Sequence, residues 1–193
     1  MPPVLTLLTP ADGRRVPWRN GLGLTTEIAL EAVDGGRFLW RVSVADVAAA
    51  GPFSAFPGYD RLIAVVEGPG MRLTVDGAAP VERRRMESAF AFPGEAAVDC
   101  TLLGGPIRDF NLMLDRATAK GAVTMLAGPL AHAAEADAVL VHALAGTLTV
   151  TAAEGGEAIA VPAGYSVLVR GGAATVTVPE DGEGVCAEVW RRG

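Results

Sequence analysis

The chain has 193 residues, half of them hydrophobic, with 22 acidic against 16 basic side chains and a net charge of −6. That hydrophobic content supports a packed core and excludes a disordered chain, and the acidic balance argues against a nucleic-acid binder, which needs a basic face. Two cysteines without CxxC spacing exclude a cysteine zinc site and a disulfide framework; Cys100 and Cys186 read as packed, reduced thiols.

No basic segment followed by an apolar run opens the chain, and no apolar stretch approaches the ~20 residues of a membrane span. A cytoplasmic location is expected, with neither nucleic acid nor membrane as partner. Short strands between Gly and Pro turns dominate. Residues 38–45 alternate, with Trp40, Val42 and Val44 on one face and Arg41, Ser43 and Ala45 on the other. Residues 45–50 are Ala-rich and stop at Gly51-Pro52, which predicts at most two turns of helix. A short apolar run at 62–66 is followed by an alternating strand at 71–75 and the hairpin pair Asp76-Gly77. Arg83-Arg84-Arg85, flanked by Glu82 and Glu87, reads as a solvated loop. Residues 118–125 read as a connecting segment. Strands are then predicted at 139–144, 147–151, 158–161, 166–169 and 174–178.

The strand rhythm occurs twice. IAVVEG at 63–68 leads into 71–75, as LVHALAG at 140–146 leads into 147–150. Downstream, FAFPGE at 90–95 is echoed by IAVPAGY at 159–165. Two copies of one β-module follow, an N-terminal module at 1–118 and a C-terminal module at 119–193.

The duplicated pattern resembles the cupin fold, a small jelly-roll barrel. Gly156 followed by Pro162-Ala163-Gly164 fits its second motif, and Gly146 fits the glycine that closes its first. The resemblance implies an all-β bicupin, two tandem jelly-roll (cupin) modules packed together. A metal-binding cupin carries a glutamate seven residues before that closing glycine, after a His-x-His pair. Here Arg61 and Val139 occupy the glutamate positions before Gly68 and Gly146, His142 falls between ligand positions, and His132 has no His-x-His partner. Divalent metals need several converging ligands, so no metal and no other cofactor is expected.

Longer strings point further. WRNGLG at 18–23 with TTEI at 25–28, WRVS at 40–43, GPFSAFPGYDR at 51–61, and DFN at 109–111 with Met113 and Arg116 resemble the HutD/Ves family of metal-free bicupins. The resemblance covers most of the chain. It implies a link to histidine utilisation, with a regulatory role through binding of a pathway intermediate.

Arg41 and Arg61 lie in or beside apolar strands, where an unpaired cation is costly. Either they form internal salt bridges with Glu27 or Asp109, or a guanidinium grips a ligand carboxylate through two parallel hydrogen bonds. Trp18 and Asn20 precede Gly21 and Gly23, an arrangement that suits a ligand loop or a plain turn with one core tryptophan. Thr26, Glu27, Ser43 and Asn111 form a polar set among apolar neighbours and must be satisfied by one another or by a ligand. Phe53, Phe56 and Phe110 serve as pocket walls or as core. The candidate ligand site is thus Trp18, Asn20, Thr26, Glu27, Arg41, Ser43, Phe56, Arg61, Asp109 and Asn111.

The C-terminal module lacks an equivalent set and reads as scaffold or oligomerisation surface, a homodimer included. No Ser-His-Asp order, GxSxG string or phosphate loop occurs. The expected partner is a small carboxylate metabolite, of the formylglutamate, formiminoglutamate or urocanate class that the family implies. The alternative is a metal-independent isomerase or hydrolase with Glu27 as base. A third reading is a protein that meets a regulator through a β-face.

Overall fold

The computed structural model describes residues 3–18, 23–153 and 156–193. In chain order the strands are β1 (Val4–Leu8), β2 (Arg14–Pro17), β3 (Gly23–Val33), β4 (Arg37–Val47), β5 (Gly51–Pro52), β6 (Tyr59–Glu67), β7 (Met71–Val75), β8 (Val81–Arg83) and β9 (Phe90–Pro93). They continue with β10 (Val98–Leu102), β11 (Ile107–Asp115), β12 (Ala119–Ala127), β13 (Leu130–Ala145), β14 (Thr147–Ala152), β15 (Ala158–Pro162), β16 (Ser166–Val178) and β17 (Glu183–Arg191). One 3-10 turn, Asp34–Gly36, joins β3 to β4. No helix among the described residues is long and apolar enough to cross a membrane.

The chain divides into two compact units, Arg14–Ala119 and Met1–Gly13 with Lys120–Gly193. In the first, a six-stranded antiparallel sheet runs β2-β3-β4-β11-β6-β9 and a four-stranded one runs β5-β10-β7-β8. The central strands β4 and β11 are buried on both faces. One face carries Trp40, Val42, Val44, Phe110, Leu112 and Leu114. The other carries Ala45 and Val47, which meet Met71, Leu73, Val98 and Cys100 of the smaller sheet in a core between the two layers. Asp76 and Gly77 have φ of 49° and 72°, as a type I′ turn requires, and form the expected hairpin turn after β7.

The second unit is one sheet ordered β12-β17-β13-β16-β14-β15, with β1 also on β16. Its core gathers Val139, Val141, Leu148, Val161, Val169, Val176 and Cys186. Residues 1–13, assigned by sequence to the first module, belong here, because Val4–Leu8 pairs with β16 from Arg170 to Ser166. Both cysteines are free and buried.

Three expectations are corrected. Residues 45–47 are strand rather than helix, because Ala45 pairs with Asp109 and Val47 with Ile107; tertiary pairing overrides alanine's helix propensity. Within the segment at 118–125, all but Thr118 belongs to strand β12 (Ala119–Ala127), not to a mere connector. The strands form three open sheets rather than closed barrels. Pro17, Pro52, Pro93 and Pro162 all lie on edge strands, where a residue without an N–H removes no ladder bond and discourages further pairing.

Candidate functional site

Cross-strand register assembles the site in the first unit. Arg14, Glu27, Ser43, Asn111 and Ile63 are successive partners across β2, β3, β4, β11 and β6. Beside that row run Val16, Thr25, Ala45 and Asp109. On its other side Arg41, Met113 and Arg61 align. Side chains two residues apart share a face, so these rows present one surface. With Trp18 and the segment 52–56 they enclose a cavity of about 570 Å³.

Trp18, Glu27, Arg41, Ser43, Phe56, Arg61, Asp109 and Asn111 all line that cavity, as does Phe53. Thr26 does not: it pairs with Val44 on the opposite face, and Thr25 takes the inward position, accepting a hydrogen bond from Trp18 Nε1 at 2.8 Å. Asn20 lies outside the described residues. Phe110 is core, fully buried on the opposite face from Asp109. Sequence reasoning missed Arg14, Thr25 and Ser54, which also line the cavity. Counting back two residues from Glu27 would have selected Thr25, whereas Arg14 enters only as Glu27's partner across the sheet.

Arg61 is 6% exposed. Its guanidinium lies over Phe53, Phe56 and Phe92 at 5.2, 5.6 and 5.0 Å from the ring centres, and Nη1 donates to the Ser54 carbonyl at 3.3 Å. The Arg41 guanidinium faces Phe38 and the same Phe56, each at 5.4 Å, and its Nη2 donates to Met113 Sδ at 3.3 Å. Aromatic faces stabilise a buried cation by roughly 0.5–2 kcal/mol each, less than its desolvation costs.

Of the two alternatives for the arginines, the internal salt bridges do not form among the described residues. Glu27 pairs instead with Arg14, at 4.0 Å, and neither Arg41 nor Arg61 forms an ion pair with Glu27 or Asp109. Arg41 Nε, Arg61 Nε and Asn111 Oδ1 are buried without a hydrogen-bond partner. The electrostatics follow. Burial pulls Arg61 down to about 10, the Arg41 charge adding to this and Asp109 opposing it. Burial also lowers Arg41, with Glu27 opposing. Asp109 is pushed up to about 7 by burial, with the Arg61 charge opposing this and the Asp46 charge adding to it. The same carboxyl helps burial to raise the Cys100 thiol to about 12, consistent with a packed, unreactive cysteine. The cavity is therefore a cationic, aromatic-walled chamber with unsatisfied donors, suited to a small anion.

Phe56, shared by both guanidiniums, is held by Gly94. The Phe56 N–H donates to the Gly94 carbonyl and the Gly94 N–H to the Tyr59 carbonyl, both at 2.7 Å. A Cβ on residue 94 would overlap the Phe56 carbonyl and lie 2.9 Å from that of Tyr59. Gly94→Ala is expected to cost about 1–3 kcal/mol and to lower the melting temperature by several degrees. A melting curve superimposable on that of the wild type would refute this packing account.

The family model HutD matches residues 10–187. A 21.2 kDa protein in the hutC 3′ region of Pseudomonas putida is 51% identical over 110 residues, 56% of this chain and 57% of that protein. Protein Ves of Citrobacter koseri is 37% identical over 116 residues, 58% of this chain and 60% of that protein. The matches thus span less than two thirds of the length of these curated relatives. HutD from Pseudomonas fluorescens SBW25 superposes with a TM-score of 0.84 at 34% identity, covering 98% of this chain and 100% of that one. The Escherichia coli pirin YhhW, at 8% identity and a TM-score of 0.65 over 98% of this chain and 100% of that one, shares the fold alone. The common architecture is the cupin fold. By the extent of the family match, the chain belongs to the HutD family.

Proposed function

We propose that the protein binds a small carboxylate metabolite of histidine utilisation in the cavity of its first unit and acts as a regulator through that binding. The observation that carries this reading is the pair of guanidiniums of buried Arg61 and half-buried Arg41, whose Nε atoms are buried without a hydrogen-bond partner and which form no ion pair with Glu27 or Asp109, the carboxylates whose charges act on them. A ligand carboxylate would satisfy them with charge-assisted bonds. A cavity of about 570 Å³ falls in the range of small-molecule sites. Thr25, Ser43 and Asn111 would orient the rest of the ligand, and Phe53 and Phe56 would wall it. The hutC 3′ region relative supports formylglutamate, formiminoglutamate or urocanate as the ligand class.

Calorimetry with those three compounds tests the proposal. One of them is expected to bind in a one-to-one ratio and to be recovered unchanged, and failure of all three would reject the class. A second reading rests on Glu27, a carboxylate in the same cavity that can serve as a general base. Turnover of a bound compound that is lost in Glu27→Gln, with binding retained, would replace regulation with catalysis.

A further inference from the structure

We propose that the second unit contains a transition-metal site of the zinc class, with His132, Cys186 and Glu188 as ligands. A histidine nitrogen, the Cys186 sulfur and a Glu188 oxygen all lie within 4.8 Å of one another. His132 Nε2 is 3.9 Å from Glu188 Oε2, and it is buried without a hydrogen-bond partner. An orphaned imidazole nitrogen aimed at a carboxylate and a thiol is an unexplained cost in a purely structural cluster. A nitrogen, a thiol sulfur and a carboxylate oxygen so grouped form a candidate metal-ligand set.

The fold brings these residues together. Cys186 and Glu188 alternate onto one face of β17, opposite Val141 and Val139. The β13–β17 ladder begins only at Ala138, so His132 comes from the part of β13 beyond it. Side chains tie that part back. Trp190 Nε1 donates to the Glu135 carbonyl at 2.9 Å, and the Glu135 N–H donates to Glu188 Oε1 at 3.2 Å. One carboxylate oxygen is thereby held by backbone and the other is left facing His132, the kind of support that orients metal ligands elsewhere.

The donor set selects the ion. Nitrogen, sulfur and carboxylate oxygen suit zinc or cobalt(II), whereas magnesium and calcium require oxygen ligands. Bonds of about 2.0–2.3 Å in a tetrahedron place ligand atoms roughly 3.3–3.7 Å apart, so closure needs side-chain shifts of about 1 Å. Burial, with the Glu188 charge adding to it, holds the thiol protonated. An incoming divalent ion must displace that proton: the S–H bond breaks, the metal–sulfur bond forms, and one proton leaves to solvent.

The test uses the full chain, reduced and dialysed against chelator, titrated with cobalt(II) alone and then with zinc(II). One cobalt per chain is expected, with a near-ultraviolet thiolate-to-cobalt absorption that zinc bleaches, and about one proton released per ion. Cys186→Ser should abolish the band. Because Cys186 is core, His132→Gln provides the second measurement, melting like the wild type without metal yet binding cobalt at least tenfold more weakly. Absence of stoichiometric binding at micromolar cobalt overturns the site, and so does a band that His132→Gln leaves unchanged.

Discussion

Replacing Arg61 with methionine is expected to weaken binding of the carboxylate metabolite at least a hundredfold without destabilising the fold. The guanidinium sits against Phe53, Phe56 and Phe92, and an unbranched apolar side chain fills the same channel. In the free protein the charge is desolvated and its Nε unpartnered, so removing it costs the fold nothing comparable to breaking a buried pair. In the complex each hydrogen bond to a charged group contributes about 1.5–3 kcal/mol, and losing a forked pair corresponds to at least a hundredfold in affinity. Arg61→Lys keeps the charge but not the planar fork, and an intermediate loss is expected. Calorimetry and melting curves on the two variants check this together. Wild-type affinity in Arg61→Met would remove the clamp, and a large fall in melting temperature would mean that Arg61 is structural.

Affinity for the same ligand is expected to fall about tenfold per pH unit above about 7. Asp109 is responsible. Its carboxyl, pushed up to about 7 by burial, is neutral at lower pH, when the cavity is most cationic. A ligand carboxylate beside Arg61 raises its proton affinity further, so the complex takes up a proton once the free protein has lost it. The free protein has its own signature. An aspartate whose native pKa lies above its ordinary value of 3.8 makes stability decline as pH rises from about 4 to about 7, because the unfolded chain releases its proton first. Arg61 opposes ionisation-linked loss and Asp46 adds to it. Asp109→Asn, neutral at every pH, should flatten both profiles. A wild-type affinity independent of pH between 6 and 8.5, or an unchanged slope in Asp109→Asn, would exclude Asp109 as the titrating group.

Much of the first unit's architecture is legible because strand signals are local. Alternation in WRVS separates Trp40 and Val42 from Arg41 and Ser43, and the structure keeps that division. The turn at Asp76-Gly77 is likewise written in two residues whose φ values only a few residue types tolerate. Eight of the ten candidate residues line one cavity because the buried polar and cationic side chains of apolar strands have few places to go.

Other features depend on register and could not be read along the chain. Thr25 rather than Thr26 faces the cavity because β3 aligns Thr25 with Ala45 and Glu27 with Ser43. A one-residue difference on a strand reverses the face. The internal salt bridges that stood as the alternative for Arg41 and Arg61 do not form, and Glu27 meets Arg14 from a strand whose pairing no motif announces. Residues 1–13 join the second unit through β1 and β16, a pairing across most of the chain.

His132, Cys186 and Glu188 show the same limit for metal chemistry. The cupin spacing test finds Arg61 and Val139 where a metal glutamate would stand. It says nothing of ligands supplied by separate strands. Sequence alone determined that this chain is all-β, duplicated, HutD-like and furnished with buried cations. Tertiary structure decided which side chains converge, because side-chain alternation is set by each strand while cross-strand neighbours are set by pairing between distant segments.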